Sequence, residues 1–323
     1  GLLKFIKKDK VKVLRLPVHS KNPILIIFNS LILSLYIIIF KINIIHARSR
    51  APAWSCYFAS FLTRRVFVTT FHGTYNFKSN IKKFYNSIML RAKLTIAGSN
   101  FIFSHINENY NEYLSKEKKL RVIYRGINID YYNLKNISIL KQEKLKKEWN
   151  LSSNKFTILL PGRLTYWKGQ EKFIESLNIL IEDYNVNNFQ AIILGSDQGR
   201  KVYSKKLINL VERYNLNKKI KFIEHCKEMP LAYSLSDVVV STSIEPEAFG
   251  RISVEAQSMG KPIIASNIGG SKETVINKKT GFLYKHDDPR ELAKCLNTVI
   301  QLSPDELKLM GNEGRKNITK KFD

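Results

Sequence analysis

At 323 residues the chain has room for two domains with separate cores, and 44% apolar with 25% charged residues is the balance of a soluble globular protein. Three unpatterned cysteines (Cys56, Cys226, Cys295) and six scattered histidines exclude a disulfide framework and a metal-ligand spacing, and suit a reducing compartment. A net charge of +26 admits nucleic acid, an anionic membrane face or phosphorylated substrates, but the lysines are spread over almost every segment without an arginine-rich tract, which sets nucleic acid aside.

In chain order, Lys12 to Val18 reads as a strand. The uncharged run 23–40 is 18 residues long, the lower edge of a membrane span, but Asn29, Ser30 and Ser34 interrupt it. It is expected to be a helix buried between a sheet and its neighbours. Strands follow at 42–46, 66–71, 94–97 and 121–124, alternating with helices at 53–62, 80–92 and 101–113. His46 and His72 each stand just beyond or at a strand end, and Gly73 follows His72.

A charged stretch, Lys141 to Glu148, reads as a surface helix beside a domain boundary near 150. A second alternating series then begins, with strands at 156–160, 190–194, 220–223, 238–241, 262–265 and a short edge at 282–284. Helices are expected at 169–184, 200–214, 251–259, 289–301 and 304–321. Repeated strand–helix alternation predicts an α/β fold: two Rossmann-like domains, 1–149 and 150–323, each on a mainly parallel sheet.

Three strand ends of the second series carry ligand-type residues. After 156–160 come Gly162, Arg163 and Lys168, two cations able to neutralise a diphosphate. After 190–194 comes Gly195-Ser-Asp-Gln-Gly199, where a backbone could approach a ligand. After 238–241 come Glu245, Glu247, Phe249 and Gly250, then a helix carrying Glu255. The amides of Gly250, Arg251 and Ile252 would be open donors at that helix start, suited to a phosphate. Carboxylates for hydroxyls and donors for an anion together suit a nucleoside diphosphate attached to a sugar. No Asp-x-Asp occurs, so cations stand in for a metal, and neither metal nor cofactor is expected.

Gly162-Arg163…Lys168-Gly169, Glu247-Ala-Phe-Gly-Arg-Ile-Ser-Val-Glu255, Gly269-Gly270-x-x-Glu273 and Thr280-Gly281-Phe282-Leu283 resemble glycosyltransferase family four, from about 43 to 322 and most strongly over 157–284. The resemblance implies a GT-B fold with two facing domains, a retaining reaction, a nucleotide-sugar donor and a glycan or lipid-linked acceptor. It places Arg163 and Lys168 on the donor diphosphate, Glu247 against the donor sugar, Glu255 on the ribose, and His72 as a catalytic or substrate-binding histidine. It further implies a cytoplasmic enzyme of cell-surface glycan synthesis such as lipopolysaccharide; the diffuse positive charge and the interrupted run 23–40 add an expected peripheral contact with an anionic membrane face. The family's opening glycine-rich loop and closing helix are not found, so the chain reads as truncated at both ends. The competing readings are a nucleotide- or membrane-binding fragment without catalysis, and a nicotinamide-dependent oxidoreductase. The second lacks the Gly-x-Gly-x-x-Gly turn after an early strand.

Overall fold

The computed structural model describes residues 12–75, 79–114 and 119–322, and the chain divides into two compact units between Ile123 and Tyr124. In the first, α1 (Pro23–Ile39) precedes β1 (Ile44–Ala47), α2 (Arg50–Thr63), β2 (Val66–Phe71), α3 (Asn80–Ser87), β3 (Leu94–Ala97), α4 (Asn100–Tyr110) and β4 (Lys119–Val122). The four strands pair in parallel in the order β1-β2-β3-β4. Parallel pairing follows from the intervening helices, since each crossover returns the chain to the same sheet edge.

Two expectations for this unit are corrected. Lys12 to Val18 is not a strand: it is irregular, and the Ser20 amide closes a turn on the Pro17 carbonyl. Pro17 offers no amide to a ladder, and Val13 and Leu14 are exposed. The second is that α1 is not buried between a sheet and its neighbours: only one face is covered. Asn29, Ser30, Ser34 and Ile37 are covered, while Ile24, Ile27, Leu31, Leu35 and Ile38 are exposed. Small side chains permit close approach to α2, where Ser55 Oγ donates to the Ile26 carbonyl. Ser30 and Ser34 satisfy their own hydroxyls on the carbonyls four residues back, at 2.6 and 2.8 Å, so burying them costs little. Among the described residues no helix is long and apolar enough to cross a membrane.

The second unit contains α5 (Ile139–Glu148), β5 (Phe156–Pro161), α6 (Gln170–Glu182), β6 (Phe189–Leu194), α7 (Lys201–Arg213), β7 (Ile220–Ile223), α8 (Met229–Ser234) and β8 (Val238–Ser241). It continues with α9 (Arg251–Ser258), β9 (Ile263–Ser266), α10 (Ser271–Thr274), β10 (Gly281–Tyr284), α11 (Pro289–Ile300) and α12 (Pro304–Phe322). Its six strands are all parallel, in the order β10-β9-β8-β5-β6-β7, with β10 at the edge as expected. Alternate residues of β5 feed two cores. Ile158 and Leu160 pack with α6, α7 and α11, whereas Leu159 packs with α8 and α9. Burial on both faces explains why these strands are continuous apolar runs.

The division lies earlier than the boundary near 150 read from the sequence. Tyr132 and Trp149 belong to the core that includes Leu159, and α5 packs on α8, so 124–150 is part of the second unit. The charged face of α5 resembles a linker only because its other side is held by these neighbours.

Candidate functional site

In the second sheet the strand order reverses at β5, from which β6 lies to one side and β8 to the other. Beyond the carboxyl ends of such a pair is the crevice where doubly wound sheets take ligands. Gly162 and Arg163 leave β5 there, and Thr242 to Glu247 leave β8. The reversal therefore brings together residues about 80 positions apart in sequence.

The two loops are tied to each other. Thr242 Oγ1 donates to the Lys168 carbonyl at 2.7 Å, and the Ile244 amide to the Trp167 carbonyl at 2.9 Å. Gly169, at φ 67°, makes this possible: a Cβ there would lie 2.0 Å from the Thr242 carbonyl oxygen. Across the tied loops Lys168 Nζ meets Glu247 Oε1 at 2.6 Å, with both side chains nearly covered. Lys168 also lies over the Trp167 ring, 4.5 Å from its centroid. Ser243 Oγ donates to the same Glu247 oxygen at 2.5 Å. The Glu247 backbone is fixed as well, its carbonyl accepting from the Gly270 amide at 2.8 Å. Gly269, at φ 56°, approaches it so closely that a Cβ would lie 2.5 Å from that carbonyl oxygen.

Phe249 is buried, and Gly250 in the left-handed region opens α9 without a side-chain cap. The amides of the first turn thus point outward without an intrahelical acceptor. The turn lies beside the β5 loop: a Cβ on Gly162 would stand 3.9 Å from Ile252 Cδ1 and 3.7 Å from Lys168 Cδ. Arg163 is exposed at this edge, and its carbonyl accepts from Gln170.

One turn into α9, Glu255 is only 6% exposed. Arg251 Nε donates to its Oε1 at 2.5 Å and the Tyr233 hydroxyl to its Oε2 at 2.8 Å. Tyr132 stands near enough for the Glu255 charge to act on its hydroxyl. Burial, then the Glu255 charge, pushes both tyrosine hydroxyls well above their ordinary range, which keeps them protonated as donors. Glu255 in turn raises the Arg251 guanidinium.

Gly162, Arg163, Lys168, Glu247, Phe249, Gly250, Arg251, Ile252 and Glu255 therefore gather at one strand-end crevice. Two details were not legible: Lys168 and Arg251 are engaged by Glu247 and Glu255 rather than reaching outward. Ser243, Tyr132 and Tyr233 were missed altogether. The run Ser241-Thr-Ser243 before Glu247 was the available signal for Ser243; Tyr233 sits on a helix too short for periodicity to show. A cavity of about 640 Å³ opens at the opposite, amino end of this sheet, lined by Lys155, Phe156, Lys261 and Leu307 among others, and contains none of these residues.

His72 belongs to the first unit, at the end of β2. Arg48, beyond the neighbouring β1, donates through Nε to His72 Nε2 at 3.1 Å. His46 bonds Thr70 Oγ1 at 2.7 Å, and burial, then the Arg48 charge, lowers its pKa.

A doubly wound sheet with cations and carboxylates at its switch point defines a class of nucleotide-binding domains. The family model for Glycosyl transferases group 1 matches residues 141–317, and that for Glycosyltransferase Family 4 matches 6–131. The chain belongs to the group 1 glycosyl transferases. A glycosyltransferase crystal structure from Rickettsia africae ESF-5 is 35% identical, with a TM-score of 0.91 covering 100% of this chain and 84% of that one. Anabaena Alr3699/HepE in complex with UDP-glucose is 25% identical, with a TM-score of 0.84 covering 100% and 85%. These likenesses establish the GT-B fold class. Among curated relatives, the capsular polysaccharide biosynthesis glycosyltransferase CapM of Staphylococcus aureus is 28% identical over 65% of this chain and 53% of its own length. Spore coat protein SA of Bacillus subtilis (strain 168) is 25% identical over 87% and 75%. The chain thus spans about half to three quarters of the curated relatives it matches.

Proposed function

We propose that the protein is a retaining glycosyltransferase that moves a sugar from a nucleoside-diphosphate sugar to a glycan or lipid-linked acceptor. The observation carrying this reading is the convergence of Arg163, Lys168, Glu247 and the uncapped start of α9 at the switch point of one sheet. The bond from the sugar's anomeric carbon to the diphosphate breaks, and the acceptor hydroxyl oxygen bonds to that carbon on the same face as its proton passes to an oxygen of the departing diphosphate. Negative charge grows on the diphosphate, where Arg163, Lys168 and the amides at 250–252 stabilise it. Positive charge grows on the sugar, opposite Glu247. Glu255 accepts from the ribose, and His72 of the first unit serves in catalysis or substrate binding. The UDP-glucose complex of Alr3699/HepE supports the donor class, and the name of CapM, a capsular polysaccharide glycosyltransferase, supports a cell-surface glycan.

With cations in the place of a metal, release of nucleoside diphosphate from the correct nucleotide sugar should continue undiminished in excess chelator. Activity lost to chelator and restored by magnesium or manganese contradicts the electrostatic assignment. Absence of release with every nucleotide sugar, despite nucleotide binding, would leave a binding protein instead.

The reaction is placed at an anionic membrane surface. The exposed apolar positions of α1 recur at helical spacing, and no Asp or Glu occurs from Lys10 to Asn107. Sedimentation with anionic vesicles should therefore retain the protein at low salt and release it at high salt, where charges are screened. Equal binding to neutral and anionic vesicles, unmoved by salt, contradicts this placement.

A further inference from the structure

Glu247 is held at one oxygen by two donors of different kinds. Lys168 Nζ and Ser243 Oγ both contact Oε1, at 2.6 and 2.5 Å, and neither contact involves Oε2. Lys168 is the exchangeable partner, because an arriving diphosphate competes for its ammonium. Ser243 has no such alternative. It is 2% exposed, directly after β8, and its carbonyl accepts from Ser266 Oγ at 2.7 Å. The same Ser266 hydroxyl also reaches the Ser241 carbonyl at 3.3 Å, so the β8 end is braced from β9. Between Ser243 and Glu247 the chain runs through exposed Glu245 and Pro246.

We propose that Ser243 is a positioning residue: it keeps the Glu247 carboxylate aimed when Lys168 turns to the donor diphosphate. The proposal rests on the role given to Glu247 above.

Ser243→Ala in the whole protein should lower kcat roughly ten- to hundredfold, the scale of one hydrogen bond to a charged group. Donor KM and nucleoside diphosphate affinity should stay within about twofold, since neither ribose nor diphosphate is touched. Ser243→Thr, which keeps the hydroxyl, should restore most of the loss. In a Glu247→Gln background the alanine substitution should have little further effect, because the two residues act as one unit. Normal turnover in Ser243→Ala, or a loss that persists undiminished in the Glu247→Gln background, overturns the proposal. A fall in kcat shared by the threonine variant, with a matching drop in thermal stability, also overturns it as a merely structural effect. Failure of the underlying reading is distinguishable: the wild type would then bind no nucleoside diphosphate, or Glu247→Gln would turn over normally.

Discussion

Glu247→Gln is expected to lower turnover about a hundredfold or more while leaving donor binding intact. The side chain is isosteric and can still accept from Ser243, so the change removes charge with little change of shape. What disappears is the negative charge facing the anomeric carbon as the nucleotide departs. In a nearly covered site that charge acts through little water, which makes it far stronger than at a surface. Lys168 loses its ion-pair partner at the same time and becomes more available to the diphosphate. Donor KM should therefore hold or fall, and the damage should sit in kcat. Steady-state kinetics with the correct donor decides it. Normal turnover with weakened donor binding would show that Glu247 only holds the ground state.

Glu255→Gln should do the reverse. Tyr233 and Arg251 hold this carboxylate in place before any ligand arrives, and a ribose hydroxyl is much the same in ground and transition states. Losing it removes uniform binding, about 1–3 kcal/mol for a buried charged partner, or roughly a five- to hundredfold rise in donor KM with kcat nearly unchanged. Arg251 retains much of its solvent exposure, so the orphaned guanidinium can turn to water and the fold should survive. A fall in kcat at constant KM would place Glu255 in the chemistry instead.

Much of this architecture was legible because it depends on local pattern. A doubly buried strand such as β8 writes itself as an apolar run, and β2, β3, β7 and β8 begin and end where the sequence placed them. The ligand residues were legible as chemical types at strand ends. Their mutual engagement was not: Lys168 meets Glu247 only because β5 and β8 are neighbours, a consequence of crossovers that no window of sequence contains. Helix α1 shows the same limit. The uncharged run reads as a buried helix, but its apolar positions are exposed, and the covered face carries Ser30 and Ser34, whose hydroxyls bond within the helix. The six and four residues of α8 and α10 are too few to display a period, which hid Tyr233. The boundary near 150 followed the charges of α5 and not the buried Tyr132 and Trp149 on either side of it.

The central claim is that the crevice between β5 and β8 holds a nucleoside diphosphate without a metal. Calorimetric titration of nucleoside diphosphates into the wild type and Glu255→Gln, in chelator, tests it most directly. The wild type should bind at least one of them, and the variant should bind the same one more weakly by the factor given above for KM. No binding by the wild type, or equal binding by both proteins, would contradict the account.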